Sequence, residues 1–109
     1  MVRAVVGDSN SITAYRLESR ALECAGFQPG DTMIVDLNAG PQPGDVVCAQ
    51  IYDYARALAD TVFRVYEPPY LVSATFDARL RRPLVLDKHL VDIKGVVVAS
   101  LRARQARAA

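Results

Sequence analysis

Short apolar runs alternate along the chain with clusters of turn-forming residues, a spacing that predicts strands joined by tight connections. The plainest signal is a phrase that occurs twice, Gln28-Pro29-Gly30-Asp31 and Gln42-Pro43-Gly44-Asp45. Proline fixes φ at the second position of a turn and glycine accepts a positive φ at the third, as a type II turn requires. Each phrase leads into a β-rich run, Thr32-Met33-Ile34-Val35-Asp36-Leu37 and Val46-Val47-Cys48-Ala49-Gln50-Ile51-Tyr52, and both runs predict strands. Asn38-Ala39-Gly40-Pro41 closes the first with breakers. Further strands are predicted at 61–66, 83–86 and 91–101. Between the first two of these lies Glu67-Pro68-Pro69-Tyr70, an extended interruption because proline has no backbone donor.

Helix signals are weak. The best covers 18–25, about two turns of helix formers ended by Gly26, too short to persist without tertiary packing. The stretch 53–60 fits either a helical turn or the tip of a long hairpin. Residues 102–109 alternate Arg, Ala and Gln with little to bury and read as a flexible tail. Together the pattern predicts a compact, mainly β domain with one short helix near residues 18–25.

Composition narrows the function classes. The chain has 109 residues, 51% of them apolar, which suits one domain with one core. A formal net charge of +1 gives no reason to expect direct nucleic-acid binding. No apolar run reaches the length of a membrane span, and Met1-Val2-Arg3-Ala4-Val5-Val6 lacks the apolar stretch of a secretory signal, so a cytoplasmic location is expected. Cys24 and Cys48 read as reduced thiols, since Cys48 lies inside a strand pattern. No Cys/His spacing suggests a metal, and no cofactor is expected. Asp31, Asp36 and Asp45 are acidic, but Asp31 and Asp45 belong to the turns. His89 has no partner motif and reads as structural.

The segment from Ala25-Gly26 through Gln28-Pro29-Gly30-Asp31 to Val35-Asp36 resembles the signature of the LexA, UmuD and phage CI repressor family. Gly44-Asp45-Val46-Val47 looks like that family's second Gly-Asp strand. Asp60-Thr61-Val62-Phe63-Arg64 is similar to its Thr-Val-Lys-Arg phrase, and Ile93-Lys94-Gly95-Val96-Val97-Val98 to its last apolar strand. The resemblance covers residues 15–101. It implies a LexA-like domain there, with residues 1–14 as a remnant of the linker and cleavage region.

Active relatives cleave a peptide bond with a Ser nucleophile and a neutral Lys as general base. Both groups are needed, because a hydroxyl is a poor nucleophile unless a base removes its proton, and a Lys amine is a base only when desolvation lowers its pKa. The resemblance places the Ser at Ala21, with Leu22 at the usual Met, and the Lys at Phe63. Alanine has no hydroxyl and phenylalanine no proton acceptor. Arg64 cannot substitute, since guanidinium stays protonated. The expectation is therefore a degenerate member without peptidase activity, its vacated cleft packed shut by the aromatic ring. Gly7-Asp8-Ser9-Asn10 has turn composition and falls too early for the family spacing, Ser19 lies two positions before the expected site, and Cys24 reads as an inert thiol. A working peptidase would have to pair Ser9 or Ser19 with Lys88 or Lys94. Val6-Gly7 could be a remnant of the cleavable bond, though only 14 positions separate Gly7 from Ala21.

The last strand is apolar on successive residues, so both of its faces require cover. Val96, Val97, Val98, Ala99 and Leu101 are accordingly the expected oligomer interface. The resemblance implies self-association as a dimer or higher oligomer and DNA contact only through a separate N-terminal domain absent from this chain. An antirepressor protein would be the switch, and no membrane is involved. The alternative is a stand-alone LexA-like protein that binds and modulates a repressor.

Overall fold

The structure is a computed structural model that describes residues 11–103. Its seven strands are β1 (Ile12–Arg16), β2 (Thr32–Asp36), β3 (Val46–Asp53), β4 (Leu58–Glu67), β5 (Tyr70–Val72), β6 (Leu84–Val85) and β7 (Val91–Leu101). They form one antiparallel sheet in the order β1-β2-β7-β3-β4-β5-β6. The expected mainly β class is borne out, and β7 has the predicted bounds. The stretch 53–60 is the tip of the β3–β4 hairpin. Two strands go beyond the expectation: β1 begins inside the segment read as a linker remnant, and β5 follows Pro69.

The expected helix is a single 3-10 turn, Glu23–Ala25, ended by Gly26 at a φ of 96°. The preceding backbone is engaged elsewhere, because Ala21 O accepts from Ala74 N–H at 2.6 Å and Cys24 N–H donates to Ala74 O at 2.7 Å. Those bonds to a distant segment replace the i to i+4 bonds that a helix needs.

Both Pro-Gly turns form as predicted, and they are copies of one another. Gly30 and Gly44 take φ of 97° and 94°. The Asp31 side chain accepts from Gln28 N–H at 2.9 Å and that of Asp45 from Gln42 N–H at 2.8 Å. Each turn also pairs with the strand beside it. Gly30 N–H donates to Leu17 O and Leu17 N–H to Asp31 O, just as Gly44 N–H donates to Tyr66 O and Tyr66 N–H to Asp45 O.

Each face of the sheet has its own core. Leu17, Leu22, Met33, Val35, Cys48 and Phe63 form one, with Tyr15, Val65 and Val97 packed against it. Val47, Ala49, Leu71 and Val96 form the other, flanked by Val62, Leu84, Val91 and Ile93. Alternation explains the division, since neighbours such as Val47 and Cys48 point to opposite faces. Register shifts at Ile34/Val35 and Cys48/Ala49 bend β7 between its two neighbours. Gly95 sits at this bend, where a Cβ would come within 2.5 Å of Asp36 O. Only glycine fits there without a backbone shift.

Candidate functional site

Ala21 and Phe63, the positions that the resemblance gives to the Ser and the Lys, are both buried, at 0% and 5% exposure. Ala21 N–H donates to Ser19 Oγ at 3.0 Å, which fixes the bend ahead of the 3-10 turn. Its neighbour Leu22 shares a core with Phe63. The Phe63 ring meets Tyr15 edge to face at 5.7 Å between centroids. Neither position offers a nucleophile or a base.

The remaining candidates are dispersed. Ser9 and the Val6-Gly7 pair lie outside the described residues. Lys88 and His89 are exposed in the turn before β7, where His89 O accepts from Tyr54 OH at 2.8 Å. Lys94 pairs with Asp92 at 2.8 Å, and that carboxylate raises the Lys94 pKa, the opposite of what a general base requires. Both cysteines are free: Cys24 is exposed, and burial pushes the Cys48 thiol up to about 11.

Phe63 borders a surface cleft whose lining does not include Ala21. The ring turns inward to the core, and the cleft of about 480 Å³ remains outside it, lined by residues 15–19 and 61–64. The opening exists because β5 pairs with β4 only over 65–67. Tyr66 directs its N–H to Asp45 O and its C=O to Gly44 N–H, on the β3 side. Alternation therefore turns the backbone groups of Thr61 and Phe63 outward, into the cleft. Arg64, considered above only as an unfit base, caps this edge: its Nη1 donates to Phe63 O at 2.8 Å. A lone charge between Phe63 and Val65 is the sequence sign that could have singled it out.

Of the proposed interface residues, Val96 lies in the second core and Val97 packs on the first. Val98 and Leu101 are exposed, at 44% and 54%. β7 has β2 on one side and β3 on the other, so its edges are already paired. Any contact with another chain must use the exposed side chains. Arg102, expected to open the tail, is tied down. Its Nε and Nη2 bond Asp31 Oδ1 and Oδ2 at 2.8 and 2.9 Å, and Nη2 also reaches Gly26 O. Residues 104–109 lie outside the description.

Asp31 is saturated by Arg102 and Gln28, and no group of acidic, His or Cys side chains able to hold a metal occurs among the described residues. Within the same residues, no helix is long and apolar enough to cross a membrane. Compared with known proteins, the chain matches no family model and no curated sequence.

Proposed function

We propose that this domain is the non-cleaving assembly module of a CI-type transcriptional repressor. The observation that carries the reading is that Ala21 and Phe63, at the positions where the resembling family holds its Ser and Lys, are both buried apolar side chains. Loss of both together suits a domain kept for association. Joining two copies would hold two DNA-binding modules over two half-sites of an operator and raise avidity. A signal acting by self-cleavage would not release such a repressor, so an antirepressor or another ligand would have to.

Sedimentation equilibrium of the chain, beside a Val98→Asp/Leu101→Asp variant, tests the reading. These two side chains are chosen because Val97→Asp would place a charge against the core and unfold the domain rather than report on association. Reversible dimerisation is expected, weakened by about tenfold or more in the variant. A strict monomer at the highest attainable concentration would overturn the proposal.

A further inference from the structure

The cleft beside β4 contains a charge, Arg64, that has no ion-pair partner among the described residues. Arg64 is partly buried, and burial lowers its pKa. Among the described residues no carboxylate lies within ion-pair distance of it, whereas Arg102, Arg79 and Lys94 each have one. Among the described residues its buried Nε has no hydrogen-bond partner. An unmet buried donor on a charged group is costly, and an anion held in the cleft would offset the guanidinium charge.

The rest of the cleft defines the anion. Arg16 adds a second positive charge, Glu18 is the only acid among the lining residues, and the half-buried Tyr15 supplies an aromatic surface in front of the buried Leu17 and Phe63. A volume of about 480 Å³ falls in the range of small-molecule sites. A peptide strand adding to the open edge of β4 would need the Phe63 carbonyl, which Arg64 Nη1 already occupies.

We propose that this cleft is a binding site for a small carboxylate on an apolar stem, with Arg64 as its counter-ion and the Tyr15 ring receiving the stem. The site does not depend on how the domain assembles.

Titrating the ¹⁵N-labelled chain with hexanoate, and separately with hexan-1-ol, tests this by the shifts of backbone amides. Hexanoate is expected to give saturable shifts at Ser19, Thr61 and Phe63, with hexan-1-ol at least about tenfold weaker, because it has the stem without the charge. Arg64→Met should abolish the preference for the acid while leaving the spectrum dispersed. Equal binding of acid and alcohol would overturn the proposal, since the charge would then be irrelevant. Absence of saturable shifts through the millimolar range would overturn it as well. Binding of a capped glutamate-containing peptide without binding of hexanoate would reject it in favour of a peptide site.

Discussion

The two Gln-Pro-Gly-Asp turns have the same sequence and the same backbone bonds, yet they carry different burdens. Around Asp45 the carboxylate holds Gln42 N–H and is partly exposed. Around Asp31 the same group is buried, with 2% exposure, and joins the turn to Arg102 at the far end of β7. Local chemistry thus makes the turn, and tertiary context decides what else its Asp does. Asp31 fastens the last strand of the chain to the start of β2. Asp45 shapes only its own corner.

Removing the carboxylates should expose the difference most strongly. Asp31→Ala loses the cap on Gln28 and both bonds to Arg102, and about 2–3 kcal/mol of stability should go with them, since bonds to charged groups are the stronger kind. Asp45→Ala loses a single cap, for about 1 kcal/mol. Urea midpoints of the two variants give the comparison directly. Equal losses would mean that the Arg102 pair contributes nothing.

The glycines test the opposite half of the argument, that the turns themselves are alike. A Cβ at Gly30 or Gly44 would meet no atom within 4 Å, so only the positive φ resists alanine. Gly30→Ala and Gly44→Ala should each cost about 1–2 kcal/mol, and by the same amount. A clear inequality in their thermal midpoints would show that the two backbones differ in strain despite their matching bonds.

What the sequence revealed follows the same division. The turns, β2, β3 and β7 were legible because proline, glycine and apolar runs act locally. β1 was missed because Ile12-Thr13-Ala14-Tyr15-Arg16 is short and mostly half-exposed, so its alternation is faint. β5, with three residues, is too short to show a period and follows two prolines that read as a break. The helix at 18–25 was expected from propensity, which bonds to Ala74 override. In the candidate site, Ala21 and Phe63 were reached through the resemblance. Arg64 as an unpaired charge, and Arg102 as the partner of Asp31, depend on contacts between segments distant in sequence.

The smallest effect expected is in acid, and it isolates Arg102 from the rest of the turn. Its guanidinium, followed by the Gln28 N–H, lowers the Asp31 pKa from 3.8 to about 2. A carboxyl with a depressed folded pKa contributes stability that is complete above its unfolded value and lost as pH falls through the folded one. That contribution should therefore be intact above pH 4 and fade between 3.8 and about 2. In Arg102→Ala the largest cause of the shift is gone, so the variant should start lower at neutral pH and lose less in this window. Other carboxylates, among them Asp77 with its pKa lowered by Arg79, titrate in both proteins and cancel in the difference. The two curves of stability against pH should converge toward pH 2. Parallel curves would mean that Arg102 does not set the Asp31 charge, and the contrast between the two turns would then reduce to burial alone.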